Sequence, residues 1–376
     1  MLIYVIAFAI AIIFGLLADF TTSKSSTRTY AISNNQSQAI HTYALLCSPL
    51  SLLFITCLRY GVGYDYLRTY MPDYYQFKQG LEIHSDIGFR GFYFVSQLLS
   101  DNPQVLFAIT GFILILCFYL SAYLLSGSVT LSLCLLFLSG TYVKAISMIS
   151  QFTAIAFLLL AFSIHYGKRR LAHGKVISTL LIILAPTFHV SALFPSIILI
   201  YFIYSQGKNS RKWLVFSTVF PFVVLILERP IVRVILTIVE KTRFNVYINS
   251  EFTGLESKSI LYTEIIIFII MTMIVLYTKS CSKAMKYLLI LQSFAVCCSL
   301  LQEIPLMFRM TFYFASFNVI SLPLFVREIQ IKWMRYITIT GILFLLLVWF
   351  LLYPYPNNTD GFLPYQFVFN IGYTYH

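Results

Sequence analysis

QVLFAITGFILILCFYLSAYLL (Gln104–Leu125) is an apolar run without a single charged residue. About 20 such residues are enough for a helix to cross the hydrocarbon of a bilayer. Runs of the same kind recur on both sides of it: Leu2–Asp19, His41–Leu58, Ser128–Val143, Met148–Tyr166, Lys212–Leu227, Ile260–Tyr277, Ala284–Leu301, Leu306–Val326 and Tyr336–Tyr353. Lys175–Ser205 is too long for one ordinary span and contains Pro186 and Pro195. Proline breaks the helix ladder, so this stretch is expected to form two short helices meeting near Pro186–Val190. The expectation is an all-α, polytopic membrane protein of about 12 membrane segments, two of them short and broken.

Composition agrees. Of the 376 residues, 59% are hydrophobic and 11% charged, against about 45–50% and 25% in soluble domains. This excludes a soluble enzyme, a disordered chain and a nucleic-acid binder. The net charge of +12 follows from sidedness. Lys24, Arg28, Lys168, Arg169, Arg170, Lys175, Lys208, Arg211, Lys212, Lys279, Lys283, Lys286, Arg327, Lys332 and Arg335 fall in loops accompanied only by Asp19 and Glu328. The positive-inside rule puts these loops in the cytoplasm and both termini outside. Leu2–Leu17 has no basic segment before it and reads as a retained first span rather than a signal peptide. The seven cysteines lie in or beside apolar runs without a disulfide spacing or a CxxC pair. Without repeats or long linkers, residues 1–376 read as one transmembrane domain. It carries outside loops at about 59–89 and 228–258 and an outside tail at 354–376.

Polar residues gather on the outside. RYGVGYDYLRTY (Arg59–Tyr70) follows directly on the second span. A belt of tyrosines is ordinary at a membrane interface, but that does not account for Arg59, Arg68, Asp65 and Asp73 together. Arg59, Arg90 and Arg309 abut or enter apolar segments, where an unpaired charge is costly and often functional. From Asp65 a helix would set Asp65 and Arg68 on one face, as it would Arg309 and Tyr313. Glu303 precedes Arg309 and can pair with it. His189 falls at the junction of the two short helices. There is no Asp-x-Asp, HExxH or close His/carboxylate cluster, so no metal and no cofactor is expected.

Arg59-Tyr60-Gly61-Val62-Gly63-Tyr64-Asp65-Tyr66 with Tyr70 resembles the first-loop motif of the EpsG/Wzy-type polysaccharide polymerases. Asp86-Ile87-Gly88-Phe89 resembles the acidic-x-Gly-aromatic element that closes that loop. Gln151-Phe152-Thr153-Ala154 resembles a middle-helix element whose usual arginine is here Ser150, and Lys144 lies nearly two turns earlier. Phe188-His189-Val190-Ser191-Ala192-Leu193, Arg309-Met310-Thr311-Phe312-Tyr313-Phe314 and Leu363-Pro364-Tyr365-Gln366 match further elements in order. No single element is specific, but their order along residues 55 to 370 is.

The resemblance implies a helical bundle similar to the lipid-dependent glycosyltransferases of the GT-C kind, in the bacterial cytoplasmic membrane, with its site facing the periplasm. It implies a polymerase joining undecaprenyl-pyrophosphate-linked oligosaccharide repeat units. Membrane lipid, a chain-length regulator and a flippase would be further partners. Arginine stays charged and meets phosphate bidentately. Arg59 and Arg309 are therefore the first candidates for the leaving pyrophosphate, with Arg68 and Arg90 second. Asp65 and His189 are the candidate bases for the acceptor hydroxyl. Tyr66, Tyr70, Tyr313 and Tyr365 would hold sugars, together with Asp86, Lys144, Gln151 and Glu303. The other readings are a lipid-linked-oligosaccharide flippase or transporter, and an O-antigen ligase-like glycosyltransferase. A transporter would place its polar residues at the bilayer midplane and often show repeats.

Overall fold

The computed structural model describes residues 1–25, 34–167, 171–205, 210–241, 258–278, 281–304 and 307–370. Arg28, Lys168, Arg169, Arg170, Lys208, Lys279, Leu306, residues 242–257 of the expected second loop and the last six residues lie outside the described residues. The described chain is helical, 82% helix with no strand. Among the described residues seven helices are long and apolar enough to cross a membrane, or up to nine candidate spans if each of two bent pairs counts as one.

This count does not confirm the expected twelve segments, two of them short, and the differences have physical causes. Lys175–Ser205 does break where expected, into two short apolar helices, Gly174–Phe188 and Val190–Tyr204. Neither is long enough to count as a span. Lys212–Leu227 is the front of a 30-residue helix, Ser210–Val239, that runs on through Glu228, Arg229 and Arg233. This helix is not among the counted spans, and its continuation turns the start of the expected second loop into helix.

The chain divides into two compact units, one of Met1–Ser196 with Leu343–His376, the other of Ile197–Ile342. In the first unit the helices are α1 (Leu2–Ser25), α2 (Asn34–Cys47), α3 (Leu50–Cys57), α4 (Met71–Lys78), α5 (Ile87–Leu99), α6 (Gln104–Ser121), α7 (Val129–Leu138), α8 (Thr141–Ser147), α9 (Ile149–Tyr166) and α10 (Gly174–Phe188). Among the first unit's long candidate spans the most deeply buried is α9, packed between α6 and α10. Small hydroxyls tie neighbours together by donating to main-chain carbonyls, Ser48 to Ala11, Ser51 to Ala7 and Ser178 to Ala161. Such bonds serve helix pairing where lipid offers no hydrophobic gain. The one acid of the first span has a structural task. The Asp19 carboxylate accepts from Ser128 Oγ and from the backbone N–H groups of Val129 and Thr130. It thereby satisfies orphan donors at the start of α7 and places negative charge at the positive end of that helix.

The second unit comprises most of α11 (Leu193–Tyr204), α12 (Ser210–Val239), α13 (Lys258–Tyr277), α14 (Lys283–Leu300), α15 (Met307–Ala315), α16 (Asn318–Arg327) and the start of α17 (Lys332–Leu352). Here α14 is central, with α12, α13 and α15 against it. A buried acid, Glu264, accepts through Oε2 from Gln292 Nε2 at 2.7 Å and Asn318 Nδ2 at 3.1 Å.

Replacing Asp19 by Ala leaves the first N–H groups of α7 without their acceptor. The expected cost is about 1 kcal/mol, read as a lower unfolding midpoint of the detergent-purified protein. An unchanged midpoint would contradict this account of α7.

Candidate active site

The first-loop motif and the tail close one end of the first unit together. After α3 the chain leaves the bundle at Arg59, whose residue is 1% exposed. Its guanidinium donates through Nη1 to the Thr56 carbonyl and through Nη2 to the Ile146 carbonyl at 3.3 Å, and lies 5.8 Å from the centre of the Phe107 ring. Charge-assisted bonds of this kind offset the cost of taking the charge out of water. Gln104 Nε2 grips the same turn by donating to the Cys57 and Arg59 carbonyls at 2.7 and 3.0 Å, while its Oε1 accepts from Tyr66. The tail then returns. Tyr60 N donates to the Gln366 carbonyl, Val368 N to the Leu58 carbonyl and Gly63 N to the Gly361 carbonyl. The Tyr365 hydroxyl donates to the Ile55 carbonyl at 2.8 Å. Burial pushes the Tyr365 phenol above its ordinary range, with Tyr142 adding and Arg59 opposing, so it stays a neutral donor.

The motif continues as a wide helical turn over Tyr66–Tyr70 and then α4. Tyr66 is buried with its ring stacked on Phe107, whereas Arg68 is exposed beside the Tyr64 ring and Asp65 is half-buried. This segment sits on the break between α8 and α9. Tyr64 N donates to Ser147 Oγ, and Ser150 N donates to the Tyr70 hydroxyl at 3.0 Å. Gln151, next in the chain, is buried. Lys144 is the only residue of α8 that is not buried.

At this break the structure brings together residues from three separate motifs. The α10 helix ends at Phe188, and His189 is extended at φ −157°, ψ 116°. Its Nδ1 lies 3.4 Å from Asp86 Oδ2 and 3.5 Å from Ser150 Oγ. Asp86 also accepts from Val190 N at 3.3 Å, and Ser150 Oγ donates to the Phe188 carbonyl at 2.6 Å. Asp86 arrives because Gly88 has no side chain. A Cβ there would sit 2.6 Å from Thr187 Oγ1 and 2.9 Å from the Thr187 backbone. Arg90, on the exposed side of α5, donates to the Ser85 and Ile83 carbonyls, both at 2.7 Å, and so holds the loop that carries Asp86.

Glu303, Arg309 and Tyr313 belong to the second unit. Glu303 is exposed, Arg309 is half-buried with its guanidinium 5.9 Å from the Phe308 ring centre, and Tyr313 is fully buried. Gln104, Ser147 and Thr187 shape the site in the first unit, but nothing marks them in the sequence. Each acts on a partner more than 40 residues away.

An all-helical chain with seven to nine candidate membrane spans among its described residues, and with polar side chains gathered at broken helices of the first unit, is a polytopic membrane protein. A family model described as the EpsG family matches residues 42–367. The chain belongs to that family, which associates it with polysaccharide polymerases of the membrane. Neither the curated proteins nor the solved structures hold a match to it.

Gly88→Ala should lower the unfolding midpoint, because the new methyl meets main-chain atoms of α10. Gly91→Ala, on the same helix with nothing within 4 Å of its Cβ position, should raise stability by up to about 1 kcal/mol. Equal effects at the two positions would contradict the close approach that delivers Asp86.

Proposed function

We propose that the protein is a glycosyltransferase that joins undecaprenyl-pyrophosphate-linked oligosaccharide repeat units on the periplasmic face of the bacterial cytoplasmic membrane. The observation that carries the reading is the His189–Asp86 pair at the α8–α9 break, in a chain of the EpsG family.

The acceptor hydroxyl attacks the anomeric carbon of the donor sugar. The bond from that carbon to the pyrophosphate oxygen breaks, and the pyrophosphate leaves on its lipid. His189, held through Nδ1 by Asp86, uses Nε2 to take the hydroxyl proton, a step that typically contributes 10²–10⁴-fold. Charge grows on the leaving pyrophosphate as the sugar approaches an oxocarbenium ion, so a cation there binds the transition state more strongly than the ground state. Arg309 is assigned that task on its sequence motif, an arginine one turn before Tyr313. Arg59 acts from within the wall as a positioning residue, holding the first loop and α8 in register. Arg68 and Arg90, both exposed, extend positive charge along the same loop.

Glu264, buried with Gln292 and Asn318, supports a second reading, a flippase or transporter. Buried membrane carboxylates often mark transport pathways.

In the native bacterium, deleting the gene should remove the long surface-polysaccharide ladder while leaving the single repeat unit attached. Wild type should restore it. His189→Ala and Asp86→Ala should not, at equal amounts of protein in the membrane. His84→Ala, an exposed residue of the same loop, should restore it fully. Loss of even the single repeat would point to export, and a normal ladder from His189→Ala would remove the proton-acceptor assignment.

A further inference from the structure

Asp73 stands apart from the tyrosine belt in the sequence, and the mechanism above gives it no task. It lies in the first turn of α4, three residues after Tyr70, whose hydroxyl accepts from Ser150 N at the start of α9. Its Oδ2 accepts from Ser85 Oγ at 2.7 Å. Ser85 is the residue before Asp86. These bonds close a ring. It runs from Ser150 through Tyr70 and one turn of helix to Asp73, across to Ser85 and Asp86, and through His189 Nδ1 back to Ser150 Oγ.

The ring matters because its last links are long. Asp86 Oδ2 stands 3.4 Å from His189 Nδ1 and 3.3 Å from Val190 N, at the outer edge of hydrogen-bond distance. A small displacement of Ser85 therefore decides whether the carboxylate still reaches the imidazole. On one side Asp86 is set by the close approach of Gly88 to Thr187. The Arg90 bonds to the Ser85 and Ile83 carbonyls join the loop to α5 itself and leave its place relative to α4 open. The Tyr74 hydroxyl, donating to the Ser100 carbonyl, and Gln97 Nε2, donating to the Tyr74 carbonyl, join α4 to the far end of α5. Asp73 supplies the tie at the end that carries Asp86.

We propose that Asp73 is a positioning residue for the reaction proposed above: through Ser85 it sets Asp86 at the distance from which Asp86 holds His189. The proposal rests on the polymerase reading for what the pair does, while the positioning itself is measured on the imidazole. A carboxylate in the first turn of a helix also favours the helix dipole, a role that needs its charge. The tie to Ser85 needs only an acceptor oxygen, which an asparagine keeps.

The test observes His189 directly. The full-length protein, its six histidines labelled with carbon-13 at Cε1, is titrated with acid in detergent and followed by NMR. The His189 signal is the one lost in His189→Gln. A carboxylate beside an imidazole favours the imidazolium, so Asp86→Asn should lower the titration midpoint by about one pH unit or more. Asp73→Ala and Ser85→Ala should each produce at least about half of that shift, and the double variant no more than either single one. Asp73→Asn should stay close to wild type. So should Lys78→Ala, a charged residue of the same helix that pairs with Asp101 instead. Ser85→Ala alters only the loop side of the tie and decides alone where Asp73→Ala does not fold. An unmoved midpoint in Ser85→Ala or in folded Asp73→Ala would overturn the positioning role. So would full additivity in the double variant, or a shift in Asp73→Asn equal to that in Asp73→Ala. The same preparations, assayed for polymer from lipid-linked repeat units, separate this claim from the reading it rests on. A base acts when neutral, so the acid limb of the polymerisation rate should move to lower pH together with the His189 midpoint. Shifted midpoints in the variants, with no polymer from wild type, would refute the polymerase reading alone. Polymer from wild type, with unmoved midpoints in the variants, would refute the positioning role alone.

Discussion

A guanidinium sealed inside an apolar bundle has to find oxygen acceptors within the protein, and the working end of the first unit is arranged around that demand. Arg59 finds its acceptors in the Thr56 carbonyl of its own helix end and the Ile146 carbonyl of α8. That fixes α3 to α8 at the point where the first loop begins. Gln104 fastens the same turn to α6, and the tail pairs with it on both sides of Arg59. Each of these partners is main-chain or amide, so none of them brings a counter-charge to the guanidinium.

From that anchor the rest of the site follows by short steps. The helical turn after Gly63 reaches the α8–α9 break, where Tyr64 and Tyr70 bond Ser147 and Ser150. The break exposes the start of α9 to the end of α10, where His189 has left the helix. Gly88 allows α5 close enough to α10 for Asp86 to reach the imidazole. The acid, the glycine and the histidine therefore form one construction, although the sequence carries them on two motifs a hundred residues apart.

Much of this was legible in the sequence, for identifiable reasons. Apolar runs and proline placement report local physics, so the all-helical membrane class and the junction at His189 could be read directly. The number of spans could not, because a run length does not say where a helix bends or how far a charged helix continues. Ser128–Val143 divides at a 64° bend and Ser210–Val239 runs past its apolar front. Asp86, His189 and Tyr70 were candidates by motif, and their convergence needed the fold. Arg59 was a candidate for phosphate, and its burial and its two carbonyl acceptors could be seen only once α8 was in place.

The account stands or falls on whether this protein makes glycosidic bonds between lipid-linked units. The direct measurement is to reconstitute the purified protein in liposomes with undecaprenyl-pyrophosphate-linked repeat units, and to follow both chain length and the leaflet the units occupy. The account predicts products of two and more repeats, formed by wild type and lost in His189→Ala. Units that change leaflet without growing in length would contradict it and establish transport instead.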